Sequence, residues 1–311
     1  MLRFLPPGLR GSLALVVFVL NTLFWCSILY LVTALRLLVP VPAFVRLCRR
    51  LSMTIATAWI GGNVLGLKAL TRIEWNVTGM EGLERKAWYV VTPNHVSWVD
   101  IVIVQWLFNR KIPMLKFFLK EELKKVPVLG LAWWCLEFPF MKRIPRAVLE
   151  QRPELKGKDL ETTKEACERF ADLPVSVLNF LEGTRFSERK RVDRGSPYRH
   201  LLSPKAGGLA QVVSTLGPRI RSLLDVTVFY PGGAPTFWGL LSGRLEKVVV
   251  RVEAVPLDPA WFGADYEADA AFREGFQAFV GDLWKRKDDR IDALLASARP
   301  GLPAVPAGRI L

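Results

Sequence analysis

From residue 12 to residue 35 the chain carries no charged side chain, with Arg10 and Arg36 standing just outside the window. At about 1.5 Å of rise per residue, a helix over this window is long enough to cross a hydrocarbon core of about 30 Å. A helix satisfies its own backbone polar groups, so the segment reads as a membrane helix around which the rest of the chain must be organised. Apolar chain runs on through Tyr30, Leu31 and Leu35 with no small-residue cleavage site, which marks the helix as retained and not as a signal peptide. A second apolar stretch, 51–67, follows Arg49 and Arg50. It is shorter and interrupted by Gly61, Gly62, Asn63 and Gly66, so a full second span is not expected. Pro40 and Pro42 break the chain between the two stretches, leaving a single crossing and a helical hairpin lodged in one leaflet as alternatives. Arginines on both flanks (Arg3 and Arg10 before; Arg36, Arg46, Arg49 and Arg50 after) weaken orientation by charge bias, and the remainder of the chain is read as cytoplasmic.

Beyond residue 67 the texture is that of an α/β domain. A composition of 51% hydrophobic and 23% charged residues excludes both a disordered chain and a polytopic transporter, and 311 residues suit one enlarged domain. Short β-branched or aromatic runs at 73–78, 88–92, 175–180, 226–230 and 248–252 predict strands; amphipathic runs at 99–108, 160–171, 204–215 and 268–284 predict helices. The expected fold is a single catalytic domain with a central mixed sheet flanked by helices, preceded by an N-terminal membrane helix or hairpin. The division is 1–67 for the anchor, 68–298 for the domain and 299–311 for a flexible tail rich in proline. Cys26, Cys48, Cys135 and Cys167 are scattered and read as buried reduced thiols. A net charge of +14 attracts phosphates, nucleic acids or anionic lipids without choosing among them.

The chain holds two histidines, His95 and His200. The apolar strand at 88–92 runs directly into Asn94-His95-Val96-Ser97-Trp98-Val99-Asp100, which sets His95 on a strand-to-helix turn, where α/β enzymes keep their chemistry. Five positions on a continuous helix would put His95 and Asp100 about 140° apart. A turn can bring them together, with Asp100 accepting from one imidazole nitrogen and leaving the other free as a general base. The plainer alternative is a histidine packed at a turn and an aspartate at a helix start. His200 lies in a polar loop and is read as solvated.

The run Asn94 to Asp100 resembles the NHxSxxD signature of glycerolipid acyltransferases related to bacterial 1-acylglycerol-3-phosphate acyltransferase. Further blocks follow in that family's order. Lys120-Glu121-Glu122-Leu123 with Pro127, Gly130, Lys142 and Arg143 is similar to its arginine-containing block, and Phe180-Leu181-Glu182-Gly183-Thr184-Arg185 to its FxEGTR. Lys205-Ala206-Gly207-Gly208 is similar to a lysine and glycine segment downstream. At 226–231, Val-Thr-Val-Phe-Tyr-Pro stands where many members carry Val-Pro-Val, a departure toward the lysocardiolipin and lysophospholipid acyltransferase branch. The resemblance implies acyl transfer from acyl-CoA or acyl-ACP, as co-substrate, to a lysophospholipid hydroxyl, most simply 1-acylglycerol-3-phosphate. His95 and Asp100 would be catalytic, and Glu182, Gly183, Thr184, Arg185, Arg143 and Lys205 would bind substrate. It implies no metal, no other cofactor and no nucleic acid, and a bacterial inner-membrane location with membrane lipids as partners. Physically, Gly183 permits a tight path and Arg185 offers a planar fork for phosphate oxygens. Backbone amides of the 93–97 turn or the following helix start are expected to serve the oxyanion.

Residues 111–146 hold eight basic against three acidic side chains, and 185–199 six against two, enough to hold a phosphate headgroup or press the chain onto anionic lipid. The trio Arg189-Lys190-Arg191 is left as a solvated face. Trp133 and Trp134 lie in an apolar stretch that can dip into the interface, line an acyl tunnel or form a buried helix, and no site residue is assigned there. The competing functions are remodelling of another lysophospholipid, a membrane-tethered protein that binds anionic lipid or nucleic acid without catalysis, and a metal-dependent phosphohydrolase on His95 and Asp100. Two histidines and no carboxylate cluster argue against the last.

Overall fold

The computed structural model describes residues 4–141, 163–165, 167–168 and 173–298. The expected helix at 160–171 falls largely outside these residues, as do Lys142, Arg143 and the tail. Two long helices open the chain, α1 (Pro7–Leu38) and α2 (Pro42–Leu70). There follow β1 (Glu74–Thr78), β2 (Trp88–Pro93), α3 (Val99–Phe108), β3 (Leu115–Phe117), β4 (Leu119–Lys120), α4 (Leu129–Cys135), β5 (Phe140–Met141) and β6 (Ser176–Leu178). The chain then forms α5 (Glu188–Asp193), α6 (Ala206–Leu216), β7 (Ile220–Phe229), α7 (Phe237–Leu241), β8 (Lys247–Val255) and α8 (Ala270–Ala298).

Each long N-terminal helix has proline in its first turn, where a missing N–H costs nothing. The glycines of α2 do not break the helix, and among the described residues α1 alone is long and apolar enough to cross a membrane, in keeping with the interrupted apolar run of α2. A Cβ on Gly62 would sit 2.2 Å from Asn21 Oδ1 and one on Gly66 2.7 Å from Val17 Cγ1, so these positions let α1 press close. Asn21 donates to Trp59 O and to Asn63 Oδ1, at 2.9 and 2.8 Å, and Trp59 Nε1 donates to Thr22 Oγ1 at 3.1 Å. Pairing 17 with 66 and 21 with 62 makes the hairpin antiparallel.

The hairpin lies along the body instead of standing off it. Near the start of α1, Gly11 abuts Trp238 and Phe18 meets Phe237 edge-on, while Ala14 joins Leu67 and Leu70 in the core beneath the sheet. Near its end, Tyr30 donates to Val128 O and Arg36 pairs with Glu137, which also takes Arg49 of α2. The stretch with Trp133 forms α4, and Ala132, Cys135 and Leu136 pack with Cys26, Leu29 and Ile55 of the hairpin. Leu131 and Trp134 stay exposed.

The sheet order is β1-β8-β7-β2-β6-β3, parallel except for the antiparallel β7 and β8 pair. Helices α6 and α8 cover one face, and α3 with the hairpin the other. The mixed sheet is as expected, but β7 and α8 run well past their predicted bounds. Strand β7 begins at Ile220 instead of 226 because Asp225, which reads as a break, is buried and paired. Helix α8 runs past 284 because Lys287 and Asp288 in its charged stretch are buried too. All four cysteines are buried and free.

Candidate active site

Strands β2, β6 and β7 run parallel and end at the same edge of the sheet, the edge at which open α/β sheets bind ligands. The three chain segments leaving them are locked together. Asn94 bridges the gap to β7, its Nδ2 donating to Val228 O at 3.0 Å and its Oδ1 accepting from Val228 N at 2.8 Å. His95 N donates to Glu182 Oε1 at 2.8 Å, and Phe186 N returns a bond to His95 O at 2.6 Å. Ser97 Oγ donates to Pro235 O at 2.5 Å and accepts from Val99 N.

This scaffold brings His95 and Asp100 together as the turn argument requires. His95 Nδ1 lies 2.9 Å from Asp100 Oδ2, which also accepts from Val96 N at 2.7 Å and Ser97 N at 2.8 Å. Tyr230 donates to the other oxygen, Oδ1, at 2.7 Å. With Asp100 as acceptor throughout, the proton between it and the ring belongs on Nδ1, which leaves Nε2 with its lone pair available. Asp100 is fully buried, whereas the His95 side chain keeps 12% exposure. The imidazole lies on Phe180, ring centroids 4.0 Å apart at 24°.

The turn after β6 holds Glu182, Gly183, Thr184 and Arg185. Gly183 has φ +66°, a left-handed geometry that a side chain would strain. Glu182 is buried and braces two backbones, accepting from His95 N and, at 2.9 Å, from Leu202 N. Burial pushes its carboxyl up to about 7, against the pull of those amides and of Lys287. The Arg185 guanidinium sits 5.0 Å over the exposed ring of Trp98. Lys205 N donates to Leu181 O, and its side chain passes beside Gly183.

Seven of the eight predicted site residues therefore meet at one sheet edge; Arg143 lies outside the described residues. Two expectations change. The amides of His95, Val96, Ser97 and Val99 are engaged by Glu182, Asp100 and Ser97, so they are not free to serve an oxyanion. His200 is not solvated: its Nε2 lies 2.5 Å from Asp292 Oδ1 and its amide donates to Asp288.

Other residues were missed. Lys190, set aside as part of a solvated trio, donates to Thr184 Oγ1 and to Arg185 O, both at 3.0 Å, and so clamps the arginine turn. Fully buried Lys287 donates to Thr92 O and Val226 O beneath the strand ends and pairs with Asp225 Oδ1 at 2.8 Å. That last contact is ionic and outside hydrogen-bond geometry. The signal for Lys287 was its spacing: it falls on the stripe of Phe276, Val280, Leu283, Trp284 and Ile291, the apolar face of α8.

The mouse 1-acyl-sn-glycerol-3-phosphate acyltransferase gamma is 28% identical over 222 residues, covering 63% of this chain and 56% of that protein. The human delta enzyme of the same name is 27% identical over 210 residues, covering 60% and 52%. The chain thus spans about half the length of the curated relatives it matches. The crystal structure of the 1-acyl-sn-glycerophosphate acyltransferase PlsC from Thermotoga maritima shares the fold, with a TM-score of 0.51 at 18% identity over 92% of this chain and 98% of that one. The acyltransferase family model matches residues 74–230, a span that runs from β1 through Tyr230 and takes in both turns of the site; this chain belongs to the acyltransferase family.

Proposed function

We propose that the protein transfers a fatty acyl group from an acyl-CoA or acyl-ACP thioester to the free hydroxyl of a lysophospholipid, with 1-acylglycerol-3-phosphate as acceptor and phosphatidic acid as product. The observation that carries this reading is the 2.9 Å contact between His95 Nδ1 and buried Asp100 Oδ2, which leaves Nε2 out of that bond on a side chain that keeps some exposure. Nε2 takes the hydroxyl proton as the oxygen attacks the thioester carbonyl, and Asp100 supports the imidazolium that forms. The tetrahedral species collapses with loss of the thiolate, which recovers the proton from His95. The ester bond replaces the thioester bond, and the base returns to its starting state. Arg185, over Trp98 and beside Lys190, receives the acceptor's phosphate.

The exposed face of α1, with Val16, Val19, Leu20, Leu23 and Leu31, is continuous and apolar. With α1 docked on the body at both ends, this face suits insertion into one leaflet better than a crossing. Thioester donors are cytoplasmic, so the reading sets the protein on the cytoplasmic side of a bacterial inner membrane.

The test incubates the purified full-length chain with acyl-CoA or acyl-ACP and a panel of lysolipids of differing headgroup, with products read by mass spectrometry. Phosphatidic acid should form with wild type and not with His95→Ala, and Asp100→Asn should be severely slowed. Near wild-type turnover by His95→Ala would end this mechanism, and preference for a larger headgroup would move the assignment to lysophospholipid remodelling.

A further inference from the structure

The aspartate of the proposed dyad is held on both oxygens by different means. Oδ2 takes its three donors from within the His95 turn, namely the ring itself and the amides of Val96 and Ser97. Oδ1 takes its donor from a distant segment, the hydroxyl of Tyr230 at 2.7 Å. Tyr230 follows β7 directly and is 5% exposed, so no solvent molecule can readily replace it. Its placement is also fixed in register, because Asn94 stitches the turn to Val228, two residues before it.

We propose that Tyr230 is a positioning residue for acyl transfer, acting on His95 through Asp100. The inference rests on His95 being the base. A donor on Oδ1 withdraws charge from the carboxylate and so limits how strongly Asp100 draws a proton onto the imidazole. It also keeps the carboxylate from rotating away from Nδ1. Burial, with the Asp100 charge adding to it, pushes the Tyr230 phenol well above its ordinary value, so it stays a donor. Among the described residues, the charged groups on the segments packed against the dyad are Glu182, which holds the His95 amide, and Lys287 beyond it, with Arg185 over Trp98 and Lys190 of α5 reaching the Arg185 carbonyl.

The experiment uses full-length protein in detergent micelles with acyl-CoA and 1-acylglycerol-3-phosphate, and follows kcat, both KM values and the pH profile of kcat/KM. Tyr230→Phe keeps the ring and removes the hydroxyl. It should lower kcat about ten-fold with both KM values within about two-fold, the size expected for one charge-assisted bond. A carboxylate with one donor fewer keeps the base protonated to higher pH, so the acid limb should move up by ~0.5 to 1 pH unit. Site-specific 3-fluorotyrosine at 230 retains the shape and donates more strongly, and should move that limb the opposite way. In the Asp100→Asn background, Tyr230→Phe should cost little more.

An acid limb unmoved in both variants overturns the proposal, as does an equal loss from Tyr230→Phe with and without Asp100. If the phenylalanine variant does not fold, the fluorotyrosine shift decides alone. The two readings fail separately: an active His95→Ala removes the base, whereas an inactive His95→Ala beside a wild-type profile for Tyr230→Phe removes only this inference.

Discussion

Arg185 owes its place to a plane, since its guanidinium lies over Trp98 and its carbonyl is held by Lys190. Arg185→Ala should therefore raise KM for the lysolipid about ten-fold while leaving that for the thioester nearly unchanged, as measured by initial rates against each substrate. Lysine should rescue poorly, having the charge but neither the fork nor the stacking face. A loss confined to the thioester would assign the site to the donor's phosphates. Glu182 carries a pH dependence with a definite sign. Its carboxyl is raised from 4.5 to about 7, so the folded state holds the extra proton. The stabilisation is fully present below about pH 4.5 and is lost as pH rises to about 7, a change of order 3 kcal/mol. The stability advantage of wild type over Glu182→Gln, measured by denaturant unfolding in detergent, should narrow across that window; a gap that widens would mean the fold prefers the ionised form. The residues of this site were legible because His95, Asp100 and the Glu182 to Arg185 turn sit in recognisable order. Their partners were not, since Lys190 is aimed back at Thr184 and Arg185 by the local path into α5, and Tyr230 reaches Asp100 only after the chain folds back.

Helix α8 delivers a charge into the core from the far end of the chain. Lys287 is buried beneath Thr92 and Val226, and its neighbour Arg290 holds Asp225 Oδ2 at 3.0 Å and Thr227 Oγ1 at 2.9 Å. Burial lowers the Lys287 ammonium from its ordinary value, opposed first by Asp225. Lys287→Met leaves the buried Asp225 charge with Arg290 alone and the carbonyls of Thr92 and Val226 without their donor, so it should destabilise the protein by about 3 kcal/mol in thermal unfolding. Combined with Asp225→Asn the loss should fall well short of the sum of the two single changes. Additive losses would mean that the two residues act separately. The same pair explains why β7 and α8 are longer than their sequence patterns: a buried charge in a strand or on a helix face reads as a boundary until its partner is known.

At the scale of the molecule, α1 is bound at one end by Trp238 and Phe237 and at the other by Val128 and Glu137. On the one-leaflet reading proposed above, a helix pinned to the body at both ends keeps both ends on one side of the bilayer. Cysteines placed at exposed Phe4 and Val39 should therefore both react with a membrane-impermeant maleimide from the same side of sealed vesicles, against the low background of four buried thiols. Labelling from opposite sides would restore a crossing. Glutamate at Leu20 and Leu23 should release the protein from membranes in high salt, where exposed charge contacts are screened. By itself the sequence determined the apolar N-terminal helix, the alternation of strands and helices, and the order of the two site turns, because each depends on local composition and spacing. Only the tertiary structure decided that the glycines of α2 are contact points, that Glu182 and Asn94 tie three strand ends into one site, and that Tyr230 completes Asp100. Those depend on which distant groups share a buried space, and burial decides whether a polar side chain is a boundary, a brace or part of the chemistry.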